Sequence, residues 1–402
     1  MSVVPGATTD RRVRFRRRYS NLDDAMADTV SPALSAFYFF ADTPRRRAAL
    51  HAEPGSAERY VLYGLDQERL RGVSVAHNLE RGAPPRWARL ADRAVNGGLR
   101  RLRGTGGDLA PALACLRQVN RADVVVATID RMGIPLTLLA RAGLLRTALV
   151  YVSVGLPERL ERLHGPARRL HLAALRRVDV FVAYSAYEAE MIREGIGSAS
   201  GARVVFVPFG VDTVFFHPAA GEPDAEVVSV GADPHRDYPL LLRIAARHPD
   251  WRFRLVVAPE QARVLGAVAP PNVQVEAGIS FEDVRERLAR GRVVALPVRD
   301  NSYSGATTVL LQALASGRPV VVSRTAAIET GYGLRDGVNC LLVPTGDEDA
   351  FELSLQRVAG DPGFADSLGV EARSLAESLC WQRYADAMHD VLADAVARHS
   401  SR

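Results

Sequence analysis

Two stretches of the chain hold residues whose types and spacing suit the binding of an anion. The first is ALPVRDNSYSGATTVLLQALASGRPVVV, Ala295–Val322. Its apolar start reads as a buried strand ending at Pro297, its small polar middle as a loop, and Ala306–Ser316 as a helix. Gly305 has no side chain, so a ligand can approach the backbone, and Thr307 and Thr308 add hydroxyls to the first turn beside Ala306. Free amides and the helix dipole at such a start favour a diphosphate. A helix whose start is capped by Ser304 accounts for the same residues without any ligand, and both readings stand at this level. The second stretch is VSVGADPHRDY, Val228–Tyr238: a strand, a turn at Gly231, then Arg236 opening the next helix. An arginine there opposes the dipole, and a bound phosphate reverses that penalty by pairing with guanidinium and amides together. Asp237 reads as a cap and His235 as a surface histidine.

The elements that must position these residues follow from alternating apolar runs and helical periodicity. Strands are expected at Tyr60–Tyr63, Val73–Ala76, Asp123–Ala127, Ala148–Ser153, Val180–Tyr184 and Arg203–Pro208, with helices at Ile134–Ala142 and Ala186–Gly195. A second series has strands at Glu226–Val230, Arg252–Val257, Val273–Glu276, Arg292–Pro297, Pro319–Ser323 and Asn339–Val343. Its helices are Tyr238–Arg247, Phe281–Arg290, Ala306–Ser316, Ala350–Ala359 and Trp381–Ala397. Such alternation implies α/β architecture: doubly wound parallel sheets covered by helices on both faces. The polar stretch 212–224, with its Pro and Gly, separates halves 57–211 and 225–380; 381–402 is a terminal helix. Residues 1–56 form a basic arm and an apolar stretch, Ala33–Phe40, left without an element. Ligands bind beyond the carboxyl ends of such strands, so two facing sheets enclose a cleft. His77 and Asp130, ending the second and third strands, either contact an acceptor there or are ordinary loop polars.

Composition bounds the chemistry. The 402 residues suit two domains of about 150–200 residues each. No apolar run reaches the roughly 20 residues of a membrane span, and no signal peptide opens the chain, which leads us to expect a cytoplasmic protein. Cys115, Cys340 and Cys380 lack metal-ligand or disulfide spacing. All 51 basic residues are arginine, so lysine Schiff-base or P-loop chemistry is excluded. Residues 1–217 carry 32 Arg against 21 acids, and the remainder 19 against 25. The basic first half suits a peripheral contact with an anionic membrane or a charged acceptor; no docking motif points to specific nucleic-acid binding. Dinucleotide oxidoreduction is disfavoured, because YGLDQERLRG replaces a G-x-G-x-x-G turn.

VVFVPFGVDTVFFHP (Val204–Pro218) resembles the interdomain signature of the retaining family-four (group 1) glycosyltransferases, P-N-G-V-D-x-x-x-F-x-P. GRPVVVSRTAAIETGYGLRDGVNCLLVPTGD resembles the same family's donor-domain ending, and the strand, V-G, R-D and Y-P-x-L-L around Arg236 also match. The resemblance covers roughly residues 120–395 and implies the GT-B fold, two Rossmann-like domains facing across a cleft. It further implies sugar transfer from a nucleotide-diphosphate donor with retention, without metal or other cofactor. On that pattern 57–211 is the acceptor side, 225–380 binds the donor, and 381–402 returns to the N-terminal domain. The donor residues become Gly231, Arg236, Ser304, Gly305, Ala306, Thr307, Thr308 and Gln312.

Departures accompany the match. The family's two glutamates eight residues apart read Ser304 and Gln312 here; Ala232 replaces the phosphate-binding Arg, and Phe209 the Asn of the interdomain motif. The family's histidine after the fourth strand is missing from YVSVGLPE, Tyr151–Glu158. Glu329 either replaces the lost carboxylate at the sugar or is a surface glutamate. The expectation is a metal-independent glycosyltransferase acting on a small-molecule or glycan acceptor. The alternative is a non-catalytic partner that binds a nucleotide sugar or stabilises an active transferase.

Overall fold

The computed structural model describes residues 34–53, 56–197, 201–301, 303 and 305–402; Ser304 and the arginines of the N-terminal arm lie outside them. The described strands form two six-stranded parallel sheets. The first contains β1 (Ser35–Phe39), β2 (Ser74–His77), β3 (Val124–Ala127), β4 (Ala148–Ser153), β5 (Val180–Ala183) and β6 (Arg203–Phe206), in the order β2-β1-β3-β4-β5-β6. The second contains β7 (Asp224–Val230), β8 (Arg252–Val257), β9 (Val273–Ala277), β10 (Gly291–Leu296), β11 (Val320–Arg324) and β12 (Leu341–Pro344), in the order β12-β11-β10-β7-β8-β9. Runs such as VVVA, ALVYVS and VFVA are buried along their whole length because helices cover both faces.

Two expectations change at the start of the chain. Tyr60–Tyr63 is not a strand: Ala57–Leu62 is a 3-10 helix that buries Leu62 and ends at Tyr63 in a left-handed conformation. A four-residue apolar run does not distinguish one buried turn from a strand, and tertiary packing decided it. The missing strand lies in the unassigned stretch. Ser35–Phe39 pairs with both β2 and β3, so the first half begins before residue 57 rather than after a separate segment 1–56. Phe37 and Phe39 enter the core on one face of this strand, and Ala36, Tyr38 and Phe40 enter it on the other.

The halves are tied together around residue 210. Val211 forms a parallel bridge with Cys380, with Val211 N donating to Leu379 O (3.0 Å) and Trp381 N to Val211 O (2.9 Å). From there the Trp381–Ser400 helix crosses the first sheet beside β4, and Tyr384 shares a 2.9 Å hydroxyl hydrogen bond with Tyr184. Phe209 replaces the family's Asn for a visible reason. Its ring lies 5.1 Å from those of Tyr184 and Tyr384 and 5.5 Å from that of Trp381, filling an aromatic hinge where a polar amide would be buried. Gly210 must stay small, since a Cβ there would stand 2.9 Å from Trp381 Cα.

Candidate donor and acceptor cleft

The second sheet changes direction between β7 and β10. These strands are neighbours, Val228 opposite Val294, yet the chain winds outward from them to opposite edges. The Gly231 turn after β7 and the 297–306 loop after β10 therefore lie side by side at the carboxyl edge, the place where doubly wound sheets bind ligands. Backbone hydrogen bonds join them: Asp237 N donates to Pro297 O (3.0 Å) and Arg299 N to His235 O (2.8 Å). Arg236 and Val298 form an antiparallel bridge between the same two loops.

Arg236 is 3% exposed, and its Nε and Nη1 have no hydrogen-bond partner. It makes no ion pair among the described residues, and burial lowers its pKa below the ordinary arginine value. A Cβ at position 231 would stand 2.5 Å from Arg236 Nε, so only glycine lets the guanidinium lie against the turn. The nearby Asp233 is occupied: its Oδ2 accepts from Tyr303 Oη (2.9 Å) and its Oδ1 from His235 N (2.8 Å). A buried cation without a partner costs several kcal/mol, and an anionic ligand removes that cost.

Three adjoining spaces open between the halves. A cavity of about 290 Å³ is lined by Tyr63, Val154 and Tyr184 from the first half and by Asp233, Gly305 and Thr308 from the second. Beside it a space of about 480 Å³ has Arg103, Gly155, Arg159 and Arg162 on one wall and Asp233 and Tyr303 on the other. A recess of about 50 Å³ lies behind, where Gln312, 6% exposed, lines the wall with Phe209, Asp212 and Trp381. Thr308 reaches both the first cavity and the recess, which puts Gln312 one layer deeper than the glycine loop. A Cβ on Gly305 would stand 2.8 Å from Asp233 Oδ2, so close approach of the two loops requires glycine. The Gly305 amide is not free, since it donates to Tyr303 O (2.9 Å). Ala306 and Thr307 are buried at the helix start, where Ala306 occupies the N-cap position without a side-chain cap.

Three candidates lie outside these spaces. His77 sits on the edge strand β2 and lines none of these spaces, and burial lowers its pKa. Asp130 is 3% exposed beneath Tyr151, whose hydroxyl donates to it at 3.0 Å, and burial pushes its pKa up to about 6; it supports the Val154 turn instead of facing an acceptor. Glu329 is exposed and ion-paired with Arg324 at 3.2 Å, outside all three spaces. A position at the end of a strand, or in the loop after one, does not give the direction of a side chain.

The structure adds residues that sequence reasoning passed over. Asp233 is a carboxylate that faces the cleft from the second half, two residues past Gly231. Tyr303, inside the glycine loop, holds it. In the first half the buried Glu188 accepts from Ser153 Oγ (2.6 Å) and Gly155 N (2.8 Å), and burial pushes its pKa to about 8. It thereby fixes the turn that carries no histidine.

Residues 235–361 match the family described as Glycosyl transferases group 1. Relatives agree. An MMP alpha-(1->4)-mannosyltransferase of Mycolicibacterium hassiacum is 30% identical over 206 residues, 48% of this chain and 48% of the relative. A D-inositol 3-phosphate glycosyltransferase of Saccharomonospora viridis is 28% identical over 297 residues, 67% of this chain and 66% of the relative. It is residues 235–361, within the second half, that carry the likeness to the group 1 glycosyltransferases. It spans about half to two thirds of the length of these curated relatives. Sucrose-phosphate synthase from Thermosynechococcus elongatus superposes on this chain with a TM-score of 0.69 at 17% identity, covering 90% of this chain and 99% of that one. Anabaena HepE in complex with UDP-glucose gives 0.65 at 14% identity, with coverage of 90% and 99%. The fold is GT-B, with two Rossmann-like halves facing across the cleft. No helix among the described residues is long and apolar enough to cross a membrane.

Proposed function

We propose that this protein transfers a sugar from a nucleotide-diphosphate donor, with retention and without a metal. The observation that carries the reading is Arg236, a buried guanidinium without an anionic partner at the switch point of the second sheet. The diphosphate pairs with it and with the start of the Thr307–Ala315 helix, whose dipole adds to the attraction. Gln312 in its recess meets the ribose diol, and Asp233 takes the sugar contact that the family gives to a glutamate. Each accepts hydrogen bonds from hydroxyls through an oxygen.

No histidine lines the two larger spaces among the described residues. In this reading the leaving diphosphate itself accepts the proton of the acceptor hydroxyl, and the new bond forms on the face it leaves. Relatives named for D-inositol 3-phosphate act on a phosphorylated acceptor. Arg103, Arg159 and Arg162 on the first-half wall outnumber its one acid, Glu158, which pairs with Arg162 at 3.7 Å, and this balance supports an anionic acceptor here too. The basic balance of the first half also favours a peripheral contact with an anionic surface. The test is to incubate the pure protein with UDP-, GDP- and dTDP-sugars and measure nucleotide release. Release from at least one donor, with the anomeric configuration kept in the transferred or hydrolysed sugar, is expected. A folded protein that neither binds nor turns over any of them would overturn the reading.

A further inference from the structure

The longest helix of the first half among the described residues is Arg86–Arg101, RWARLADRAVNGGLRR. At about 3.6 residues per turn its side chains divide into three faces. One is fixed to the protein: Ala88 and Leu99 are buried, and Asp92 and Asn96 hold the backbone amides of Leu109, Ala110 and Gly106. The second is apolar and turned outward. Leu90 is 63% exposed, Trp87 57% and Val95 40%, with Ala94 among them and Leu102 beyond the end at 45%. The third, on the other side of the apolar face, is a stripe of Arg86, Arg89, Arg93 and Arg100, all exposed.

None of these four arginines makes an ion pair among the described residues, whereas Arg243, Arg247, Arg254 and Arg290 of the second half are matched with carboxylates. An isolated surface Leu needs no explanation, but Trp, Leu and Val on one stripe beside unneutralised arginines do. Packing in water explains neither feature. Among the described residues the apolar face has no cover and the arginine stripe no counter-charge.

We infer that this helix lies in the interface of an anionic phospholipid bilayer. Its apolar face enters the acyl boundary, with Trp87 at headgroup level and the arginine stripe on the lipid phosphates. Two features of the structure favour that occupant over another protein: the absence of any acidic residue on the outward faces, and the helix's place on the outside of the fold, where it rests on the Leu109–Val119 helix. The contact also has a consequence for the cleft. Arg103 and Thr105, just after the helix, line the larger space between the halves, so a docked protein presents that opening next to the bilayer. The inference is independent of donor chemistry: vesicle binding without donor turnover keeps it and removes the transferase reading, and the opposite result does the reverse.

The experiment uses the full chain and vesicles of phosphatidylcholine with about one third phosphatidylglycerol, against pure phosphatidylcholine. Sedimentation with the anionic vesicles only is expected, weakening as salt rises. Binding should shift tryptophan emission to the blue, and Trp87→Phe should abolish that shift while Trp251 and Trp381 remain. Arg89→Ala with Arg93→Ala should lower partitioning roughly 30-fold, about fivefold per arginine, with an unchanged melting temperature. Failure to bind anionic vesicles at low salt would overturn the inference. So would equal binding by the double-arginine variant, which would shift the contact to the basic arm. A lipid-free dimer that Trp87→Ala dissociates would instead assign the face to a second copy.

Discussion

Replacing Arg236 with alanine separates a ligand-binding arginine from a structural one, because the two roles predict opposite shifts in stability. The side chain is 3% exposed, two of its nitrogens are unpartnered, and Asp233 is already engaged by Tyr303 and His235. Without ligand, the folded protein therefore bears the desolvation of a guanidinium with little return. Removing such an unpaired charge relieves about 1–4 kcal/mol, partly offset by the packing its stem provides against Gly231. With nucleoside diphosphate bound, the same side chain makes charge-assisted hydrogen bonds worth about 1.5–3 kcal/mol. Arg236→Ala should thus melt at or above the wild-type temperature when empty. It should bind UDP, GDP or dTDP, whichever the wild type prefers, roughly 10- to 100-fold more weakly. Melting curves and calorimetry on both proteins read the two quantities. A variant that melts well below wild type yet binds nucleotide unchanged would show that Arg236 serves the fold, and would refute the site.

Two further outcomes follow from the same geometry. Gln312→Ala should weaken donor binding by about tenfold, the worth of one or two hydrogen bonds, while Gln312→Glu keeps or raises affinity because a carboxylate accepts more from a diol. Titration of the preferred donor into both folded variants checks this, and indifference to both would remove Gln312 from the ribose. Glu188→Gln tests the buried acid. Burial raises its pKa from 4.5 to about 8, so its contribution to stability is fully present below about 4.5 and is lost as pH rises through 8. The gain of the glutamine variant over wild type in denaturant melts should be near zero at pH 4.5 and on the order of 3 kcal/mol at pH 7. A gain independent of pH would show that the carboxyl titrates in the fold as it does in the unfolded chain, and would refute the shift.

Much of this was written along the chain. In the second half the expected helices Tyr238–Arg247 and Phe281–Arg290 and the strand Arg252–Val257 coincide with those observed, because strand and helix periods there are set by local burial on two covered faces. Gly231, Arg236 and Gly305 were also legible, since an arginine opposing a helix dipole and a glycine before a helix are local chemical oddities. What the sequence alone left undecided is what depends on neighbours distant along the chain. That Ser35–Phe39 is an inner strand rests on its pairing with Ser74–His77 and Val124–Ala127, not on its own composition. That the Gly231 and Gly305 turns lie side by side rests on β7 lying beside β10. Asp233 escaped notice because its meaning comes from Tyr303, seventy positions away. His77 and Asp130 as strand-end polars and Glu329 as a loop carboxylate looked equivalent to it, and only packing separated an edge histidine, a carboxyl buried under Tyr151 and a surface ion pair from a carboxylate facing the cleft. Periodicity fixes which face of an element is buried; the direction in which a loop side chain points is decided by the other half of the protein.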